Sequence, residues 1–138
     1  MLGYLAAFAE AHGANTAGRA AIEAAFKIIA THEQDLSERL LAYLRGREDV
    51  TIIGADSADQ AIRVPTISFV IEGASSDAIV REIDKTGIGI RFGDFYSRGL
   101  VDGLNLPNGD GVIRVSAVHY NTVEQMDRLI AALECVRT

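Results

Sequence analysis

Cysteine is almost absent: the 138 residues hold one, Cys135. A single thiol cannot close an internal disulfide, so a reducing, cytoplasmic compartment is expected. Proline occurs only twice and 49% of the residues are hydrophobic, a globular composition and not a disordered one. No apolar run approaches the ~20 residues that a membrane-spanning helix needs. Met1 to Ala11 is apolar but has no basic leader, and it runs into His12-Gly13 instead of a small-residue cleavage site. A signal peptide is therefore not expected. Basic runs and arginine–aromatic alternation are missing, and the net charge is −6. Nucleic-acid binders show the opposite balance, so neither nucleic acid nor membrane is an expected partner.

Several catalytic motifs are missing as well. There is no Walker loop, no G-x-S-x-G elbow and no H-E-x-x-H. His12, His32 and His119 lie far apart and form no i,i+4 pair, and Cys135 has no close partner. No metal site is expected, and each histidine is read as a surface or partly buried residue. Ser37 and Ser68 have no base placed near them by spacing.

A chain of this length can bury one proper core. Leu2 to Ala11 reads as a short helix closed by Gly13. Its apolar residues run nearly all round, so it is expected to be packed on most sides. A long helix follows from about Arg19 to Arg45. Ile22, Phe26, Ile29, Leu36, Leu40 and Tyr43 draw its apolar stripe, and Gly46 ends it. Glu33 interrupts that stripe and is read as a local exit to solvent, with a buried, paired carboxylate as the alternative. Strands are expected near 50–53, 64–71, 88–92 and 112–118, with Ile67, Phe69 and Ile71 on one face. Ser76 should cap a helix from about Asp77 to Lys85, and Asn121 or Thr122 the last helix. Between Gly93 and Asp102 a short helix or loop is expected. These elements predict an α+β fold: a small, mainly antiparallel sheet of three or four strands with helices packed on it.

Two arginines stand out. Arg114 sits mid-strand in Val-Ile-Arg-Val-Ser-Ala-Val, with Ile113, Val115 and Ala117 on the opposite face. Arginine is rarely buried without an anionic partner, and its fork suits a planar carboxylate. A salt bridge to an aspartate of the same sheet face is an equal alternative. Arg91, in Gly-Ile-Gly-Ile-Arg-Phe-Gly, has a similar setting, with glycines that permit close backbone approach.

These segments carry a family resemblance. GIGIRFGDFYS, followed by GVIRVSAVHYNTVEQMDRLIAAL, resembles the closing region of class V aminotransferases and cysteine desulfurases. Arg114, Tyr120, Asn121, Thr122, Asp127, Arg128 and Leu129 carry its most specific block. RVPTISFVIEG, from Arg63 to Gly73, is similar to the family strand that opens its smaller, carboxy-terminal domain, and Glu33, Leu36, Leu40 and Leu44 to its long helix.

The resemblance implies residues 1–16 as a residual linker helix from a larger preceding domain and 17–138 as the small domain. It implies pyridoxal 5'-phosphate in the full-length parent, held covalently by a lysine of the larger domain, an amino-acid substrate and a homodimer. It implies Arg114 as the grip on the substrate's α-carboxylate, with Arg91 at the edge of the site and Tyr96 also in contact with substrate. Only Lys27 and Lys85 occur here, neither in the family's histidine-lysine motif. Both fall on helices expected to be solvated, so this chain is expected to hold no cofactor and no catalytic residue. Tyr96 stands where the best-known desulfurases carry a cysteine, which argues against desulfurase chemistry. Cleavage, epimerisation or transamination of an amino acid stays open. The competing readings are a self-standing α+β module that binds an amino acid and a purely structural dimerisation domain.

Overall fold

The computed structural model describes residues 2–106 and 109–136. Helix α1 (Leu2–Ala11) is followed by the long α2 (Gly18–Arg45), then strands β1 (Val50–Ile53) and β2 (Thr66–Ile71). Helix α3 (Ser76–Asp84), strand β3 (Arg91–Gly93), the short α4 (Arg98–Gly103), strand β4 (Val112–Ser116) and helix α5 (Val123–Cys135) complete the described chain. The strands form one antiparallel sheet in the order β1-β2-β4-β3. The expected α+β class and four strands are thus observed, with narrower limits at β2, β3 and β4.

Alternation explains which face of the sheet is covered. Ile67, Phe69 and Ile71 on β2 and Ile113 and Val115 on β4 are all buried, and they share one core cluster with Ala117 just past β4. Leu36, Leu40, Leu41 and Leu44 of α2 close that core, with Ile79, Val80 and Ile83 of α3 and Met126, Leu129 and Leu133 of α5. Helices α2, α3 and α5 therefore lie on one face. Arg114 and Ser116 point from the other.

The ends of the helices follow from local chemistry. Thr122 caps α5 with a full capping box: its hydroxyl accepts from Gln125 N at 3.3 Å, and the Gln125 side chain accepts from Thr122 N at 3.2 Å. At α3 the cap is Ser75, one residue before the expected Ser76. The difference has a cause. Ser76 is buried and its hydroxyl donates to the carbonyl of Gly111 at 3.0 Å, so it joins α3 to the start of β4. Arg63 fastens the approach to β2, donating to the carbonyls of Ala55 at 2.7 Å and Thr66 at 2.5 Å. Arg39 pairs with Asp127, tying α2 to α5.

Two expectations about helix faces need correction. The expected stripe on α2 holds from Ile29 onward, but Phe26 is 57% exposed and Ile22 and Tyr43 are only half-buried. Ala21 and Ala25 are the buried residues of the first turns, and Ala9 is the one buried residue of α1. There α2 packs against α1, and small side chains let two helices approach closely. α1 is also not enclosed as expected: Leu2 and Tyr4 are 66% and 56% exposed. The strand expected near 88–92 is confined to Arg91–Gly93, the residues that pair with Val112–Arg114 of β4.

One close approach sets a steric limit. Gly111 has a φ of +91°, and a Cβ there would stand 2.5 Å from the backbone carbonyl carbon of Gly93. Gly87 also has positive φ, but open space around it. Gly87→Ala should cost ~1–2 kcal/mol, the strain of a left-handed backbone alone. Gly111→Ala should cost at least about 3 kcal/mol, because backbone must move as well. Urea denaturation of the two variants side by side checks this, and equal losses would contradict it.

Candidate functional site

β4 is paired on both sides, and its register decides the surroundings of Arg114. Arg114 stands directly across from Ser68 of β2 and from Arg91 of β3. Directly opposed side chains of an antiparallel pair lie ~4.5–5.5 Å apart at Cβ, and like charges there repel. The two guanidinium groups are relieved differently. Arg91 is exposed, lies 3.7 Å from a carboxylate oxygen of Asp84, and donates to the carbonyl of Ile90 at 2.6 Å. Arg114 is half-buried, and no ion-pair partner for it stands among the described residues. The aspartate that one sequence reading placed beside it is not there. The ring of Phe95 is: its centroid lies 3.5 Å from the guanidinium carbon of Arg114.

Phe95 reaches that position through an unusual loop. Phe95 and Tyr96 have φ of +49° and +66°, in the left-handed region that costs a non-glycine residue ~1–2 kcal/mol. Two hydrogen bonds hold the turn. The Asp94 carboxylate accepts from Tyr96 N at 3.0 Å, and the Asp94 carbonyl accepts from Ser97 N at 2.8 Å. The two residues together cost ~2–4 kcal/mol, of which a cation–π contact to a half-buried arginine returns about 1–2 kcal/mol. Tyr96 itself turns fully outward, at 106% exposure. Of the three residues expected to meet substrate, Arg114 and Arg91 are thus brought together, while Tyr96 does not join them in this conformation. Phe95 takes part instead. No sequence signal pointed to it, since positive φ at a phenylalanine leaves no mark in composition or periodicity.

The second half of the specific block builds the joint beyond β4. The Asn121 side-chain oxygen accepts from Val118 N at 2.9 Å, and Asn121 N donates to the Val118 carbonyl at 2.9 Å. Asp127 takes the pairing with Arg39. These residues hold the exit of β4 against α2 and α5, and so hold Arg114 in register.

The lysines do not fit the covalent attachment of pyridoxal phosphate. Lys27 and Lys85 are exposed, and they belong to α2 and the end of α3, on the sheet face opposite Arg114. Lys85 is paired with Glu82 at 2.6 Å. Cys135 is exposed near the end of α5. Among the described residues no group of three or more His, Cys, Asp or Glu is arranged to hold a metal, and no helix is long and apolar enough to cross a membrane.

His32 and His119, far apart in the sequence and both half-buried, each approach Glu33. His32 donates from Nε2 to the Asn121 carbonyl at 2.8 Å, while His119 shares a 2.8 Å hydrogen bond with the Tyr4 hydroxyl. Glu33 is half-buried there and does not exit to solvent as expected. Burial pushes its carboxyl above the ordinary value, against the pull of His119 and His32. A raised folded-state pKa means that the folded chain binds this proton more tightly than the unfolded chain. The associated stability is present below the ordinary carboxylate value of 4.5 and is lost as pH rises through the folded value. Glu33→Gln, which mimics the protonated acid, should therefore melt at or above the wild type at neutral pH. The difference should shrink in acid. Melting temperatures across a pH series test this, and a Gln variant that is less stable only at neutral pH would contradict it.

Solved structures with this architecture place the fold. It matches part of an apo cysteine desulfurase from Thermococcus onnurineus at a TM-score of 0.69 and 22% identity, covering 83% of this chain and 28% of that one. It matches a NifS-like protein from Rickettsia africae at 0.65 and 23% identity, covering 83% and 31%. The fold is that of one portion of a NifS-like, fold type I enzyme. Residues 6–129 match the model of the class-V aminotransferase family, and the chain belongs to that family.

An aminotransferase-like protein of Gibberella zeae is 49% identical over 78% of this chain and 27% of its own length. A probable cysteine desulfurase of Pseudomonas putida is 36% identical over 77% and 24%. The chain thus spans about a quarter of the length of these relatives. Full-length members of the family depend on pyridoxal phosphate.

Proposed function

We propose that residues 17–138 act as the small domain of a pyridoxal-phosphate enzyme working on an amino acid, with residues 1–16 as the link to a larger domain. In this reading Arg114 grips the substrate's α-carboxylate. The observation that carries it is the state of Arg114: half-buried, on the sheet face away from the core, and without an ionic partner among the described residues. A buried cation without an anion is costly, and a bound carboxylate would supply two charge-assisted hydrogen bonds. Arg91, across the ladder, adds positive potential at the edge of the same surface.

The exposed apolar side chains of Leu2, Tyr4 and Phe26 support the second part of the proposal. They suit a surface that another domain covers. The lysine that holds the cofactor would come from that domain, since Lys27 and Lys85 face the wrong way. Tyr96 in place of a thiol favours cleavage, epimerisation or transamination over sulfur transfer.

Two experiments test this. In a full-length enzyme that contains this domain, Arg114→Ala should lower kcat/KM by about 100-fold or more, at ~1.4 kcal/mol per factor of ten. Its melting temperature should stay close to that of the parent, and Arg114→Lys should restore activity only in part. A loss of melting temperature with unchanged kinetics would assign Arg114 a structural role instead. The 138-residue chain alone, mixed with pyridoxal phosphate and borohydride, should show no stoichiometric adduct at one lysine. A single, stable site of labelling would overturn the assignment of cofactor attachment to another domain.

A further inference from the structure

We propose that Phe95 is a positioning residue for Arg114: its ring holds the guanidinium flat and leaves the edge of the fork free for a carboxylate. The proposal rests on the reading of Arg114 as the carboxylate grip and adds the group that prepares it.

The distance gives the orientation. The guanidinium carbon lies 3.5 Å from the centre of the Phe95 ring. Carbon atoms touch at ~3.5–4.0 Å. An N–H aimed into the ring would hold that carbon about one C–N bond, ~1.3 Å, further out. The two planes are therefore stacked. In a stacked guanidinium the N–H donors lie in the plane and point outward, past the rim of the ring. One face is shielded from water while the bidentate edge stays open.

The surroundings explain why such a support is needed. Arg91 holds the directly opposite register position with its own guanidinium turned to Asp84 and the Ile90 carbonyl, and no carboxylate among the described residues draws Arg114 to one place. Ser68, on the other side, is short and uncharged. A long side chain in this setting would be spread over several rotamers. Ordering it would then weaken every carboxylate contact. A ring already in place removes that cost before the ligand arrives. The left-handed backbone at Phe95 and Tyr96 is what aims the ring, and the Asp94 side chain holds that backbone through Tyr96 N.

The test uses the 138-residue chain labelled with nitrogen-15, L-alanine as the carboxylate probe, and the variants Phe95→Leu and Phe95→Tyr. The Arg114 Nε–H resonance should be displaced upfield by the ring in the wild type and in Phe95→Tyr, and should return to the ordinary arginine position in Phe95→Leu. L-alanine should bind Phe95→Leu about tenfold more weakly than the wild type, the expected effect of one unrestrained side chain. Phe95→Tyr should bind it as the wild type does. A merely structural phenylalanine would lower the melting temperature and leave the affinity of the folded fraction unchanged, which would overturn the proposal. So would an undisplaced Arg114 resonance in the wild type, a reading that needs no variant to fold. If L-alanine binds none of the three chains, the ring-induced displacement alone decides whether Phe95 positions Arg114, and the Arg114→Ala kinetics of the full-length enzyme decide the carboxylate grip.

Discussion

Strand β4 has a partner on each side, and most of what distinguishes this chain depends on that double pairing. From Ile113 onward its residues alternate, so one register serves two purposes. It turns Ile113 and Val115 into the core and Arg114 out of it. A slip of one residue against β2 would exchange the two sets and bury a guanidinium among leucines. The penalty for such a slip is many times larger than any single contact at the surface. The face on which Arg114 stands is therefore a by-product of core formation.

The joint after β4 protects the same register. Asn121, Thr122 and Gln125 satisfy backbone groups where the strand ends and α5 begins, and Asp127 then binds α2 through Arg39. Each bond is modest, about 0.5–1.5 kcal/mol net for a neutral pair. Their value lies in position. They close the end of the strand from which Arg114 projects, so motion of α5 against α2 is coupled to the direction of β4. The most specific part of the family resemblance falls on these residues, and the structure gives it a mechanical reason.

Legibility in the sequence followed the strength of the local pattern. β2 and β4 were readable because β-branched residues alternate with polar ones, and α5 because a capping residue at 121 or 122 precedes apolar residues at helical spacing. The first half of α2 was misread because its buried face is made of Ala21 and Ala25, which carry little hydrophobic signal. The larger Phe26 drew the stripe to the wrong side. Glu33 was misplaced for a related reason: its partners, His32 and His119, come from one neighbour in sequence and one far away. Arg114 and Arg91 could be picked out singly, but that they face each other depends on β3 pairing with β4. Phe95 was invisible, because its role rests on two backbone angles that a phenylalanine and a tyrosine seldom adopt.

The loop from Gly93 to Ser97 differs in kind from the rest of the fold. The core would lose nothing if Phe95 and Tyr96 adopted ordinary backbone angles, since neither belongs to the core cluster. Strain that the core does not require persists when something local offsets it, and here that is the stacking of Phe95 on Arg114. The stacking offsets about 1–2 kcal/mol of a strain of ~2–4 kcal/mol over the two residues, and the hydrogen bonds from Tyr96 N and Ser97 N to Asp94 offset the remainder. The loop therefore serves the cation and not the core, and a carboxylate at the open edge of the fork adds to the stacking instead of competing with it.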